Sequence, residues 1–334
     1  MSFLISFCNA GCWCSRYALG VAGDDFRQFS WLKADTFLSS ATDHGATGIH
    51  VFSDGVLVGI QSRQPRVAWL DADLRLRKTF ALRQVRDPHS ITSQGHEALI
   101  VCSRRNRLYS LDLKTGAERC VFVAHKSDLD VVHLNGVTFR GGHLLVSMFG
   151  PERAKGKRRG CILDTETKQV FVDNLVEPHS PTEYDGDLYV LSSAAGELFH
   201  CGSNGTQVRS LGGYLRGLAI TLDCILVGRS AWRAGHRQLG GLRKPPMPMT
   251  DPHANAWQRS AVIRLDRAGK VLDTIDFSFF GPEIYDIAKL HTTPAAARLF
   301  DHAAYRRLDA LQEAHSRLSY RRFGTSGRAR TQRN

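Results

Sequence analysis

The chain has 334 residues, and 44 Lys plus Arg against 32 Asp plus Glu give it a formal net charge of +12. With 43% hydrophobic and 23% charged residues, its composition is that of a globular protein and excludes the disordered, collagen-like and coiled-coil classes. The longest apolar run, Met1 to Cys8, is far shorter than the roughly 20 residues that cross a bilayer, so no membrane span is predicted. Thinly scattered cysteines and the lack of a signal-peptide pattern favour a cytoplasmic location.

A pattern of short strands recurs along the chain. Most of its copies continue with a further strand, a turn such as Asp112 to Gly116, and a last strand, which together make a four-stranded meander. Each copy contains an apolar strand that ends in small polar residues, and six of these strands are found: Phe3 to Cys8, Leu57 to Ser62, Leu99 to Ser103, Leu144 to Met148, Leu188 to Ser193 and Ile225 to Ser230.

A polar anchor residue stands at the entrance of a further strand in each repeat. Sheets of four strands repeated every 40 to 50 residues or so are typical of β-propeller blades. The sixth unit takes its inner strand from Glu283 to Leu290 and the others from the N-terminus, because an open ring would leave two unpaired sheet edges. The sequence therefore predicts an all-β, six-bladed propeller over residues 1–290. The anchors are His44 (or the nearby His50), His89, His133, His179, Arg216 and Glu283.

Three segments stand apart from this repeat. Residues 291–334 are predicted to form a basic tail, helical from Ala295 to Tyr320 and disordered after Gly324. The insertion from Trp232 to Trp257 is predicted to be a lid over the channel or a loop on the side of its blade. A basic cluster lies between Arg153 and Arg159, but no basic strip with interleaved aromatic residues is present, so nucleic acid is not the expected partner.

Several strings, in order on successive blades, resemble a bacterial family of unknown function. That family is assigned to the six-bladed propellers of the NHL, gluconolactonase and strictosidine-synthase-like type. The resemblance implies the fold and supplies no activity. The strings are Phe7-Cys-Asn-Ala-Gly11, Pro178-His-Ser-Pro-Thr-Glu-Tyr184, Tyr214-Leu-Arg-Gly-Leu218, Val227-Gly-Arg-Ser230 and Glu283-Ile-Tyr-Asp286.

The histidine anchors are candidate metal ligands. His89, His133 and His179 come from three successive blades, and the entrances of inner strands converge on one mouth of a propeller channel. Three imidazoles with an open position suit a divalent transition metal such as Zn or Fe, rather than Mg or Ca. Two alternatives stay open: the histidines hydrogen-bond neighbouring blades, or they bind a ligand without a metal. The change of the series to Arg216 and Glu283 favours a functional role.

The other anchors suggest chemistry at the same mouth. Arg216 is predicted to bind an anion, and Glu283 or Tyr285 to transfer a proton. The predicted function is an enzyme acting on an anionic small molecule or a peptide end, with metal-assisted lyase, hydrolase or epimerase as the reaction classes. The rival hypothesis is a non-catalytic propeller that binds a peptide, glycan or protein. Further predicted substrate-binding residues are Asn135, Tyr184 and Arg229.

Overall fold

A computed structural model describes residues 1–8, 18–24, 26, 29–32, 43–151, 159–231, 259–277, 283–294 and 299–301. Within them the chain forms 25 β-strands and two short 3₁₀ helices, Ser103–Arg105 and Ser193–Ala195. None of the described helices is long and apolar enough to span a bilayer. The insertion 232–257 and the basic cluster at 153–158 lie outside the described residues.

Six antiparallel sheets form the blades of the predicted six-bladed propeller. The first blade has the strands β4 (Asp43–Phe52), β5 (Gly55–Ser62), β6 (Arg66–Leu70) and β7 (Leu76–Ala81). The second has β8 (Pro88–Gln94), β9 (Glu97–Cys102), β10 (Arg107–Asp112) and β11 (Glu118–Val123). The third has β12 (Leu134–Arg140), β13 (His143–Met148), β14 (Gly160–Asp164) and β15 (Val170–Leu175).

The remaining blades continue the same order. The fourth has β16 (Pro178–Tyr184), β17 (Asp187–Ser192), β18 (Glu197–Gly202) and β19 (Gly205–Ser210), and the fifth has β20 (Tyr214–Ile220), β21 (Ile225–Ser230), β22 (Ala261–Leu265) and β23 (Val271–Asp276). The sixth combines β24 (Ile284–Leu290) with β1 (Ser2–Phe7), β2 (Leu19–Gly23) and β3 (Phe29–Leu32). The first strand named in each blade is the inner one, and neighbouring inner strands contact one another around the ring.

The ring closes through the two ends of the chain, as predicted. Strand β1 pairs antiparallel with β24, with Ser2 opposite Leu290 and Ser6 opposite Asp286. A short strand β25 (Leu299–Asp301) adds to the edge of β3. It lies in the segment predicted to be helical, where an unpaired strand edge offers backbone hydrogen bonds to a passing chain. The helical tail as a whole stays a prediction. The rest of the predicted tail lies outside the described residues.

The core lies between the blades. Successive side chains of a strand point to opposite faces of its sheet. In β9, Leu99 and Val101 therefore pack toward the third blade, while Ile100 and Cys102 pack toward the first. Because both faces are buried, the strands are continuous apolar runs rather than alternating ones.

The small polar residues at the ends of these strands join one blade to the next. The hydroxyl of Ser103 donates to the Leu134 carbonyl at 2.7 Å, and that of Ser230 donates to the Ile284 carbonyl at 2.8 Å. Both carbonyls belong to the inner strand of the following blade. This contact explains why the sequence repeats a small polar residue at that position.

Candidate functional site

One face of the propeller, here called the entry face, is the face at which the inner strands begin. Seven buried or partly buried side chains form a closed circuit there. Successive ring centroids lie 4.3 to 5.7 Å apart, and the Arg216 guanidinium carbon lies 5.2 and 5.0 Å from the two tyrosine rings. We call this circuit the entry ring; its members are His89, His133, Phe149, His179, Tyr214, Arg216 and Tyr285.

Irregular backbone positions the entry ring. The pairing of the inner strand with its neighbour shifts register between Pro88 and Ile91, and equivalent shifts occur in the third, fourth and fifth blades. Such bulges change the direction in which a side chain points. Four non-glycine residues in or beside the entry ring have a left-handed backbone, which costs about 1–3 kcal/mol each. They are Asp87, His133, Glu177 and Ser180, with φ between 46° and 60°.

The two ring nitrogens of His179 have different surroundings. Its Nδ1 lies 2.9 Å from the Glu177 carbonyl oxygen and 2.8 Å from Ser193 Oγ. Because a carbonyl can only accept, Nδ1 carries the proton and Nε2 is left with a lone pair. That Nε2 atom is buried and has no hydrogen-bond partner in the described part of the chain. Burial, together with the Arg216 guanidinium, holds the pKa of His179 well below its ordinary value, so the ring is neutral at pH 7.

His89 shows the same arrangement with its nitrogens exchanged. Its Nε2 faces Asp87 Oδ2 at 3.5 Å, while Nδ1 is buried and lacks a partner among the described residues. Burial lowers the pKa of His89, so this ring too is neutral at pH 7. Two neutral imidazoles with unengaged nitrogens therefore belong to one circuit.

His133 is the histidine of the entry ring that reaches solvent, with 18% of its side chain exposed. Its Nδ1 lies 2.6 Å from Asp130 Oδ2. The loop that carries both residues is fixed by Asn106, a fully buried side chain. The Asn106 amide donates to the carbonyls of Ser127 and Leu129, and its oxygen accepts from two further backbone N–H groups of the loop, those of residues 131 and 132.

Arg216 and Glu283 form a buried ion pair, in which the guanidinium donates to the carboxylate. The charge of Arg216, predicted to bind an anion, is thus balanced by the residue predicted to transfer a proton. The Arg216 Nε atom and the Tyr285 hydroxyl are buried without a partner in the described structure. Burial raises the pKa of Tyr285 well above its usual value, so its hydroxyl keeps its proton.

A cavity of about 460 Å³ lies along the axis and is lined by the inner strands. Asn135 lines it; its Oδ1 accepts from Ser147 Oγ at 2.9 Å, and its Nδ2 is buried without a partner within the described ranges. Asp286 also lines it and accepts the Ile49 N–H at 2.9 Å. Burial raises the pKa of Asp286 to about 7. His50 lies in the same cavity, where burial lowers its pKa to about 4.

The placement of the three histidines bears on the predicted metal site. His89 and His133 face each other at 5.0 Å between ring centroids, but Phe149 contacts both His133 and His179. In the described residues, no group of three or more His, Cys, Asp or Glu side chains is arranged to hold a metal ion. The three histidines as placed do not make one ligand cluster, and metal binding by them stays a prediction.

Three candidates lie away from the entry ring. Tyr184 is the last residue of β16, roughly 16 Å along the strand from His179 at 3.3 Å per residue, and the Arg267 guanidinium lies 4.6 Å from its ring. Arg229 is on β21, one strand farther from the axis, where burial lowers its pKa against the opposing effect of Asp276 on the outer strand. His44 is exposed on the entry face.

Some residues of the site were not found from the sequence. The strings Asp87-Pro88-His89 and Glu177-Pro178-His179 repeat an acid, a proline and a histidine at the start of two blades. This repeat would have identified the residues that orient the two histidines. No comparable repeat identifies Phe149.

Comparison with known proteins identifies the family of the chain. A model of a domain of unknown function, DUF4915, matches residues 66–299. The chain belongs to this family. A search of curated proteins found no match.

Solved structures that are similar to this family member share little sequence identity with it. A protein of unknown function from Bacteroides caccae is 12% identical with a TM-score of 0.58, over 87% of this chain and 99% of the other. A chain of a nidogen/laminin complex is 12% identical with a TM-score of 0.61, over 86% and 98%. A putative gluconolactonase is 15% identical with a TM-score of 0.45, over 69% and 77%. At such identities, the likeness to the first two structures concerns the fold alone.

Proposed function

We propose that the chain is an enzyme that transfers a proton to or from a small polar molecule or a peptide end bound at the entry ring. The observation that carries the proposal is the state of His179. Its protonated Nδ1 is held by the Glu177 carbonyl, and its Nε2 lone pair is buried and without a partner in the described structure. A neutral imidazole with a free lone pair is a general base.

Neighbouring groups can supply a proton donor and a second proton acceptor for such a reaction. The Tyr285 hydroxyl keeps its proton and is a donor, and His89 Nδ1 is a second acceptor. A buried polar atom without a hydrogen bond destabilises a protein by about 1–3 kcal/mol. A ligand with donors and acceptors of its own would recover that free energy. Proton transfer of this kind serves a lyase, an epimerase or, with water as the reactant, a hydrolase.

The ion pair of Arg216 bears on the charge that a ligand at the entry ring must carry. Because Glu283 already balances the guanidinium, the group that lies against Arg216 need not be an anion. The Arg216 Nε proton is still available to a carbonyl or hydroxyl oxygen. We therefore propose a polar group at the ring and look for the binding site of an anionic group elsewhere.

The test uses substitutions that remove one nitrogen and keep the other. In His179→Asn the amide nitrogen can replace Nδ1 as donor to Glu177 while Nε2 is lost; in His89→Gln the amide can replace Nε2 while Nδ1 is lost. The full chain is incubated with a cell metabolite extract, and consumed and formed compounds are followed by mass spectrometry. We expect His179→Asn to slow turnover at least about a hundredfold with an unchanged melting temperature.

The matched control is His200→Asn, because His200 lies on the opposite face of the propeller and is bonded to Asp187. It should turn over the same compounds at the wild-type rate. Turnover by His179→Asn at the wild-type rate would refute the proposal. Binding of a compound by the wild-type chain without any turnover would also refute it and would favour the non-catalytic binding module.

Metal-assisted chemistry is tested separately by elemental analysis of protein purified without a His-tag or chelator. The support for a metal is that each histidine is hydrogen-bonded or paired through one nitrogen to a carboxylate or a carbonyl, as metal-ligating histidines are. A near-stoichiometric metal that is lost in His89→Ala/His133→Ala would support it. Protein that takes up no Zn or Fe on reconstitution would refute it.

A further inference from the structure

A second cavity lies on the entry face between the first and second blades, beside the entry ring. Its volume is about 690 Å³, which is in the range of sites for small molecules rather than single ions. We call it the arginine cavity, because four arginines are among its lining residues: Arg63, Arg86, Arg104 and Arg105.

The arginine cavity has an excess of positive charge. Two carboxylates, Asp87 and Asp128, also line it, and each has a partner of its own. Asp128 pairs with Arg107, outside the cavity lining, at 3.0 Å, and Asp87 accepts from Gln61 and faces His89. The four guanidinium groups therefore outnumber the two carboxylates by two.

The arginines themselves are largely unengaged. Arg105 donates to the Gln84 carbonyl at 3.1 Å. The side chains of Arg63, Arg86 and Arg104 have neither an ion pair nor a hydrogen bond with any residue that the structure describes. Guanidinium groups bind phosphate oxygens with two parallel hydrogen bonds, so these three side chains are free to take up such a ligand.

We propose that the arginine cavity binds the phosphate group of a small phosphate monoester. A monoester carries a charge of about −1.5 to −2 at pH 7, which matches the excess of two positive charges. A strand of nucleic acid fits less well, because it needs aromatic side chains for base stacking, and among the described lining residues the one aromatic ring is the imidazole of His44.

The arginine cavity adjoins the entry ring at Asp87. This residue lines the cavity and lies 3.5 Å from the Nε2 atom of His89. A phosphorylated molecule held by the arginines would extend past Asp87 toward the two neutral histidines. This last step rests on the proposed function, whereas the phosphate site rests on the cavity alone.

Titration calorimetry of the full chain tests the phosphate site, with inorganic phosphate, phenyl phosphate and a short single-stranded DNA as probes. We expect saturable 1:1 binding of both phosphates, weakened at least tenfold in Arg63→Gln/Arg104→Gln. The matched control, Arg75→Gln/Arg77→Gln, removes the same two charges from the outer part of the first blade, where both side chains are exposed. It should bind both phosphates within twofold of the wild type.

Three results would overturn the phosphate site: no saturable binding of either phosphate, equal weakening in the two double variants, or binding of DNA without binding of phenyl phosphate. The His179→Asn variant separates this inference from the proposed function. It should bind phosphate as the wild type does, whether or not it has lost turnover. If His179→Asn loses turnover and the wild-type chain binds no phosphate, the enzyme proposal stands and the phosphate site is refuted.

Discussion

The two faces of the propeller both carry histidines that are held through one ring nitrogen, but these histidines differ in burial. At the far face, where the inner strands end, His143 and His200 lie 2.7 and 2.6 Å from their aspartates and are 49% and 28% exposed. At the entry face, His89 and His179 are buried, and each keeps one nitrogen without a partner in the described structure. Buried and unengaged groups, rather than histidines as such, distinguish the entry face.

The turns at the far face show what a structural repeat looks like. Asp112 Oδ1 accepts the backbone N–H groups of Lys114 and Thr115, and Asp164 does the same for the two equivalent residues of its own turn. These aspartates recur at the period of the blades and are satisfied within their turns. Repetition alone therefore does not identify a functional site, and the two faces can be compared by experiment.

The largest expected difference is between the buried ion pair of the entry face and a partly exposed His–Asp contact of the far face. Glu283→Gln removes the carboxylate that faces the buried Arg216 guanidinium, and we expect a loss of about 3–5 kcal/mol in the free energy of unfolding. At the far face, Asp187→Asn removes the partly exposed partner of His200 and should cost less than about 1 kcal/mol. Urea denaturation measures both, and equal losses would remove the distinction between the faces.

The second prediction concerns Asp286 in the axial cavity. The pKa of Asp286 is about 7 in the folded chain, so between pH 4 and 7 the folded state binds more protons than the unfolded state. Stability contributed by this group therefore falls as pH rises through that window. Relative to the wild type, Asp286→Asn should gain on the order of 3 kcal/mol between pH 4 and 8. A difference in unfolding free energy that does not change with pH would contradict this.

The third prediction concerns the loop that carries Asp130 and His133. Asn106 has a left-handed backbone, with φ 53°, so Asn106→Gly keeps the backbone unstrained and removes four hydrogen bonds to the loop. We expect a loss of about 2 kcal/mol or somewhat more in urea denaturation. Amide hydrogen exchange should rise in residues 127–132 and stay unchanged in the far-face turns. An increase in exchange that is equal in all parts of the chain would show that Asn106 does not act specifically on this loop.

The smallest expected effect is at the far face. His143→Ala removes a half-exposed partner of Asp164, whose other oxygen keeps its two backbone hydrogen bonds. The free energy of unfolding should fall by less than about 1 kcal/mol. A larger loss in thermal or urea denaturation would mean that the far-face pairs are as important to stability as the entry ring.

Much of the fold was determined by the sequence alone. The alternation of short apolar strands and turns such as Asp112 to Gly116 depends on residues that are neighbours in the chain, so it can be recognised in the sequence. The same repeat placed His89, His133 and His179 at the entrances of inner strands, where the structure has them. Closure of the ring through Phe3 and the strand after Glu283 followed from the need to pair sheet edges.

The tertiary structure decided which of these side chains meet. Arg216 and Glu283 pair across two blades, and Phe149 contacts both His133 and His179, although no local pattern connects them. Tyr184 lies near His179 in sequence but at the other end of an extended strand. The physical reason is that contacts at the axis depend on bulges in each inner strand, and a shift of one residue turns a side chain to the other face of its sheet.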